Sequence, residues 1–225
     1  MNDGVVLNAE NAICYSGYRE GQSPRKGIYP SYEEIREDLR LLQKDWRLLR
    51  IYDCSRHAEL VLEVVEKENM DFRILLGVDL KAEMSNPDCP WGAEYSGEEL
   101  AANREDNIRQ VEKLIVLANR YEDRIFAVSA GNEATADWTD HPVPLDSLIQ
   151  YVRRIKAQVK QPVTFCENYV PWQHKIKALA KELDFISLHT YPVWEDKTIE
   201  QALAYTKENY FSVAREYPHQ PVIIT

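Results

Sequence analysis

An amide and a carboxylate stand side by side in IFAVSAGNEATADW, residues 125–138. The apolar, partly β-branched run before them is typical of a buried strand, and Gly131 interrupts it just ahead of Asn132 and Glu133. A carboxyl group at a strand end can act as a general acid toward a glycosidic oxygen, and a neighbouring amide can hydrogen-bond a sugar hydroxyl. The tripeptide alone is also common in turns and at helix starts, so the elements around it decide its meaning.

Polar side chains follow the other strand-like runs of the chain as well. In a (β/α) barrel the carboxyl ends of all strands meet at one rim, where active sites lie. These side chains are therefore predicted to converge with Glu133 on that rim. They are Tyr15, Arg19, Tyr52, Asp53, Glu167, Asn168, His189 and Tyr191.

Simpler roles remain open for some of these residues. Tyr52 and Tyr191 could be core phenols with satisfied hydroxyl groups. His189 could be a hydrogen-bonding residue at a strand end, and Asp53 could cap the helix that follows it.

Four of the five tryptophans follow a predicted strand, whereas Trp46 lies between a helix and its strand. Flat apolar rings at a rim suit the C–H faces of sugars and leave the sugar hydroxyls free for polar partners. Each ring taken alone could equally pack a loop, but together they favour a carbohydrate groove. The four are Trp91, Trp138, Trp172 and Trp194.

Seven short apolar runs are predicted strands. Most are continuous rather than alternating, which is typical of strands covered on both faces in a parallel sheet. The runs are AICYSG from about residue 12, RLLRIY at 47–52, FRILLGV at 72–78, RIFAVSA at 124–130, PVTFC at 162–166, FISLHTY at 185–191 and PVIIT at 221–225.

Amphipathic helical patterns separate these runs. The first pattern begins at Ser31 with Glu34 three residues later, the spacing of a capping box. The six patterns are SYEEIREDLRLLQKD, SRHAELVLEVVEKEN, GEELAANREDNIRQVEKLIVLANRY, PLDSLIQYVRRIKAQV, QHKIKALAKEL and TIEQALAYTKENYFSVAREY.

This alternation predicts an α/β fold. A doubly wound sheet is a second possibility, but no Gly-rich phosphate loop follows the first strand. A (β/α)8 TIM barrel is preferred, incomplete in this chain because it has seven strands and lacks the eighth strand and its helix. Residues 1–225 are expected to form a single catalytic domain, whose open edge could support self-association.

Composition limits the class of protein. The net charge of −10 argues against nucleic-acid binding. No apolar run is long enough to span a membrane, and the N-terminus lacks the order of a signal peptide. A soluble protein of unknown location is expected, either exported with its leader removed or cytoplasmic. The four cysteines show no CxxC spacing, so a zinc site is not expected. Free thiols are the first expectation, and the even number of cysteines leaves disulfides open.

Six segments, taken in order, resemble glycoside hydrolase family 17, the β-1,3-glucanases and related glucosyltransferases. They are ICYSGYREGQSP, GIYPSYEEIREDL, RLLRIYDC, AVSAGNEAT, PVTFCENYVPW and FISLHTYPVW. The resemblance covers about residues 11–225. It implies a (β/α)8 barrel and a retaining mechanism on β-linked glucan, with no metal or organic cofactor.

The resemblance also implies roles for single residues. Glu133 is similar to the acid/base of the family, and Asn132 to its substrate-binding amide. The family's nucleophile is a glutamate at the end of strand seven, a position that would follow Thr225, so this chain as written is expected to turn over glucan poorly. The implied contacts of the sugar groove are Tyr52, Glu167, Tyr191, Tyr15, Arg19, Trp172, Trp194 and Trp138.

Two other functions stay open. One is a glucan-binding barrel without catalysis, and the other is a β-1,3-glucan transglycosylase on the same scaffold. The sequence does not separate hydrolysis from transfer, because both share the chemistry up to the acceptor.

Overall fold

A computed structural model of the chain describes residues 10–225. Within them, one sheet of seven parallel strands runs in chain order, so each strand pairs with the next. All seven predicted strands are confirmed, and helices alternate with them as in an incomplete TIM barrel. The strands are β1 Ala12–Cys14, β2 Leu48–Ile51, β3 Arg73–Gly77, β4 Ile125–Asn132, β5 Val163–Asn168, β6 Ile186–His189 and β7 Val222–Ile224.

Most of the helices begin at polar caps that the sequence marks clearly. Ser31 and Glu34 form the predicted capping box, and Ser96 forms another with Glu99. The helices are α1 Tyr32–Leu42, α2 Arg56–Lys67, α3 Gly97–Arg120, α4 Leu145–Lys156, α5 Tyr169–His174, α6 Lys177–Ala180 and α7 Ile199–Glu216. Short 3-10 turns lie at Pro24–Lys26 and Pro192–Glu195.

The helix predicted over QHKIKALAKEL is wrong in its extent, because the structure has the two short helices α5 and α6 there. The side chain of Asn168 accepts a hydrogen bond from the Val170 N–H at 3.0 Å, which starts α5 earlier than predicted. The chain then turns at Ile176, which is 1% exposed.

The core lies mainly between the sheet and the helices. On β3, Ile74 and Leu76 belong to this large cluster, whereas Leu75 belongs to a smaller one with Ala127 and Phe185. Successive strand residues point to opposite faces, so the smaller cluster lies on the concave inner face of the curled sheet.

The edge strands β1 and β7 border one cavity of about 120 Å³, which Arg50 also lines. Strands at the two ends of the sheet can share a cavity only if the sheet curls toward closure. Residues of both edge strands stay partly exposed, including Ile224 at 50%. The described residues therefore form a curled, open barrel of seven strands.

Two further findings concern membrane-spanning helices and the cysteines. No helix in the described range 10–225 is long and apolar enough to cross a bilayer. Cys14, Cys54, Cys89 and Cys166 are free thiols, as predicted.

Candidate active site at the carboxyl ends of the strands

Glu133 follows β4 at a bulge. Ser129 pairs with Thr164, but Asn132 pairs with Cys166, so β4 carries an extra residue relative to β5. Glu133 has a φ of 47°, in the left-handed region that non-glycine residues rarely adopt. Its N–H donates to the Cys166 carbonyl at 2.9 Å. The bulge turns the Glu133 side chain out of the strand and toward the cleft.

The Glu133 carboxylate contacts His189 at the end of β6. His189 Nδ1 lies 2.7 Å from Glu133 Oε1, and the histidine is 1% exposed. Burial acts to lower the pKa of His189, but the neighbouring Cys166 thiol and the hydrogen bond with Glu133 outweigh it, so the pKa of His189 is raised. The Glu133 side chain itself is 17% exposed. A half-buried carboxylate is thus held in one orientation with access to the cleft.

Asn132 is held by Arg50, a residue that sequence reasoning missed. The Arg50 Nη2 donates to Asn132 Oδ1, and the guanidinium lies 4.4 Å from the ring centroid of Tyr52. Arg50 is 6% exposed, and its Nε has no hydrogen-bond partner among residues 10–225. The available signal was the charged residue inside the apolar run RLLRIY.

Glu167 does not contact the cleft, contrary to its predicted role in the sugar groove. It is 0% exposed. Its carboxylate accepts from the Thr135 N–H at 2.9 Å, the Thr135 hydroxyl at 2.7 Å and the Asn168 N–H at 2.7 Å. Burial raises the pKa of Glu167 to about 7, against these hydrogen bonds. The residue braces the turn that follows Glu133.

A cleft of about 510 Å³ lies in front of Glu133. Its walls are mostly aromatic, and the acidic groups that line it belong to Glu133 and Glu195. Such a surface offers flat rings with a few polar groups between them, which suits a neutral sugar chain. The lining residues are Trp91, Glu133, Trp138, Asn168, Tyr191, Trp194 and Glu195.

Trp172 is a correction to the predicted set of stacking residues. Its ring is 0% exposed and packs edge-on against Phe165 and Tyr217. Its Nε1–H donates to the carbonyl oxygens of Glu167 and Ser187. The indole therefore fills the core beneath the rim and has no face for a sugar.

Tyr15 and Arg19 do not line the cleft either. The Tyr15 hydroxyl donates to Asp38 at 2.9 Å, and Arg19 Nη2 lies 2.8 Å from Glu37 and 3.0 Å from Asp38. Both residues tie the loop after β1 to helix α1. Their predicted contact with sugar therefore has no support in the described cleft.

Comparisons with known proteins agree with this architecture. The fold is similar to that of a family 17 β-1,3-glucanosyltransferase from Rhizomucor miehei, with a TM-score of 0.70 and 21% identity over 96% of this chain and 70% of that one. An active-site mutant of that enzyme was solved in complex with laminaritriose. The GH113 β-mannanase AaManA from Alicyclobacillus acidocaldarius matches at a TM-score of 0.58 and 14% identity, over 96% of this chain and 69% of that one.

Identities this low establish a shared fold, not a shared substrate. A comparison with curated proteins found no match. A family profile, described as the BtgE/BtgC glycoside hydrolase domain, matches residues 12–225. Because that match spans nearly the whole chain, the chain belongs to the BtgE/BtgC glycoside hydrolase family.

Proposed function

We propose that this domain is a retaining glycosidase that acts on β-1,3-glucan, with Glu133 as its general acid/base. The observation that carries the proposal is the Glu133 carboxylate, which opens onto a cleft walled by Trp91, Trp138 and Trp194. The resemblance to family 17 and the laminaritriose complex of the Rhizomucor miehei enzyme support the choice of substrate.

His189 suits the part that Glu133 has to play. A general acid must keep one oxygen aimed at the leaving group while its proton moves. The 2.7 Å contact with buried His189 Nδ1 fixes Oε1 and leaves Oε2 for the glycosidic oxygen. In our proposal the Asn132 amide, oriented by Arg50, contacts a sugar hydroxyl beside the reacting carbon.

A retaining mechanism also needs a nucleophilic carboxylate about 5–5.5 Å from the acid. We expect it directly after β7, where the family resemblance puts it. Arg50 supports this position, because a buried guanidinium with an unpaired Nε–H is stabilised by an anion. Thr225 borders the same cavity as Arg50, so a carboxylate beyond it would meet that charge.

The acid role is tested by Glu133→Gln in the protein that includes the residues following Thr225. Hydrolysis of laminarin, followed by reducing sugar, should fall about 10²- to 10⁴-fold. Binding of laminaritriose, followed by tryptophan fluorescence, should persist, because the amide keeps the shape of the side chain.

Glu195→Gln is the matched control, since Glu195 lines the same cleft. It should retain most of the hydrolytic rate. Full activity in the Glu133 variant would refute the acid assignment, and tight binding without any turnover in the parent protein would favour a non-catalytic glucan-binding barrel.

A second candidate is transfer of glucan chains, which is favoured by the match to a glucanosyltransferase. Both reactions share the glycosyl-enzyme step and differ in the acceptor. Chromatography of products from laminari-oligosaccharides separates them, because transfer yields chains longer than the substrate supplied.

A further inference from the structure

His141 lies in the loop after β4, beside the peptide that joins Asn132 to Glu133. Its Nε2 is 3.1 Å from the Asn132 carbonyl oxygen, and its Nδ1 is 2.7 Å from Asp140 Oδ1. A carbonyl and a carboxylate both accept hydrogen bonds, so each ring nitrogen must donate. Only the imidazolium form carries a proton on both nitrogens.

The peptide that His141 contacts is held at both of its ends. Its carbonyl accepts from His141, and its N–H, which belongs to Glu133, donates to the Cys166 carbonyl at 2.9 Å. Rotation of this peptide would move Glu133 from a φ of 47° toward the common negative range. The two hydrogen bonds therefore oppose a relaxation that would re-aim the Glu133 side chain.

We propose that His141, as an imidazolium, is a positioning residue that fixes the Asn132–Glu133 peptide and so aims the acid/base into the cleft. The catalytic part of this inference rests on the function proposed for Glu133. The structural part, a charged histidine bracing a strained turn, stands on the geometry alone.

The groups that face His141 set the direction of its titration. Burial acts to lower the pKa of His141, but Asp140, the Asn132 carbonyl and the more distant Asp79 outweigh it, so the pKa is raised. The Thr139 hydroxyl also lies 3.3 Å from Nδ1. When the ring loses a proton, the shorter contact with Asp140 retains Nδ1–H, and the Nε2 lone pair then faces the Asn132 carbonyl. The hydrogen bond from His141 Nε2 to the Asn132 carbonyl is therefore present below the raised pKa and lost as pH increases through it.

Nitrogen-15 NMR of the five histidines tests the charge state without any substrate. His141 should show two protonated ring nitrogens at neutral pH and titrate above 6.5, the usual pKa of a histidine. Asp140→Asn should lower the pKa of His141. Titration of His141 at or below 6.5 would overturn the proposal.

Two variants of His141 distinguish the effect of its Nε2 hydrogen bond from that of its Nδ1 hydrogen bond. His141→Gln carries an amide that reaches the position of Nε2 and can donate to the Asn132 carbonyl without titrating. His141→Asn reaches only the position of Nδ1. Hydrogen exchange of the Glu133 amide should accelerate on the order of tenfold or more in the Asn variant and stay near the parent rate in the Gln variant. His174→Asn serves as the control on an exposed histidine.

Laminarin hydrolysis then tests the catalytic part. The Asn variant should lose on the order of 10- to 100-fold in kcat with little change in KM, because the acid is misplaced while the cleft remains. The Gln variant should keep its rate and lose the His141-dependent part of the alkaline limb of the pH profile. If both variants exchange and turn over like the parent, His141 does not position Glu133. If exchange responds as described but no protein hydrolyses glucan, the brace stands and the proposed function fails.

Discussion

Trp194 and Trp172 both follow strands, yet the structure gives them opposite surroundings. Trp194 is 82% exposed and lines the cleft, whereas Trp172 is fully buried against Phe165 and Tyr217. Spacing after a strand places a side chain near the rim, but the rotamer and the neighbours decide whether it faces water. The same residue type therefore serves the cleft in one case and the core in the other.

Trp194→Ala should weaken laminaritriose binding by roughly 1–2 kcal/mol, a rise in Kd of about 5-fold to 30-fold, because a stacking face is lost. Stability should change little, since the ring is exposed. Trp172→Ala should instead lower the free energy of unfolding by about 3–5 kcal/mol through the cavity it leaves. Fluorescence titration and urea unfolding measure the two effects, and equal losses of binding in both variants would contradict this division.

The free energy of unfolding should depend on pH through Glu167. Burial raises the pKa of Glu167 from its usual value of 4.5 to about 7, so the folded state binds the proton more tightly than the unfolded state. Stability from this group is therefore present at low pH and declines as pH rises through the window from about 4.5 to 7. Between pH 5 and pH 8, the decline amounts to about 2–3 kcal/mol.

Glu167→Gln should remove that part of the decline, because an amide does not ionise. The expected result is a free energy of unfolding that falls less steeply with pH in the variant than in the parent protein. Urea unfolding at several pH values measures the free energy of unfolding of both proteins. The contribution of the histidines cancels in the difference, because both proteins contain them. Parallel curves would show that Glu167 does not titrate in this range.

At the scale of elements, the bulge of β4 depends on a glycine. A Cβ at Gly131 would lie 2.6 Å from Phe165 Cε2 and 3.1 Å from Leu80 Cδ1, and both side chains are buried. At the bulge, the backbone of β4 lies close to these neighbours. The bulge also turns the residues that follow toward the rim. Gly131 thus allows the close approach that presents Asn132 and Glu133.

Gly131→Ala should lower the free energy of unfolding by about 1–3 kcal/mol, because the buried neighbours have little room to move. Gly97→Ala is the matched control, since Gly97 begins α3 and a Cβ there meets nothing within 4 Å. That substitution should be neutral or stabilise by up to about 1 kcal/mol. Thermal unfolding compares the two, and an equal response would argue against crowding at the bulge.

At the scale of the whole molecule, the curled sheet of residues 10–225 has β1 and β7 at its edges. Unpaired strand edges are templates for pairing with another chain. The apolar Ile224 on β7 is 50% exposed, which adds hydrophobic surface to that edge. We expect the 225-residue chain to self-associate through it.

Ile224→Lys should shift this chain toward the monomer, because a charge on an edge strand opposes strand pairing. Val116→Lys is the control, since Val116 is 63% exposed on α3, away from the edge strands. Sedimentation velocity across a concentration series measures the change. A monomer at all concentrations, or an equal effect of the two lysines, would contradict association through β7.

The sequence by itself determined the strands, most helices and the rim on which Asn132 and Glu133 lie. These features depend on local patterns: continuous apolar runs, the Ser31–Glu34 cap and the rule that parallel strands end together. Residue order is enough for such features, because each is encoded within one segment of the chain.

Only the tertiary structure decided which polar groups act together. Arg50 and Asn132 are 82 positions apart, and His189 and Glu133 are 56 apart, so no local pattern links them. Trp172 is buried against Phe165 and Tyr217, and the Glu167 carboxylate is bound by Thr135 in the loop after β4. Side-chain exposure is set by such neighbours, which are distant in sequence. No sequence pattern indicates His141 for the same reason: its proposed role depends on the Asn132 backbone carbonyl, which only folding brings beside it.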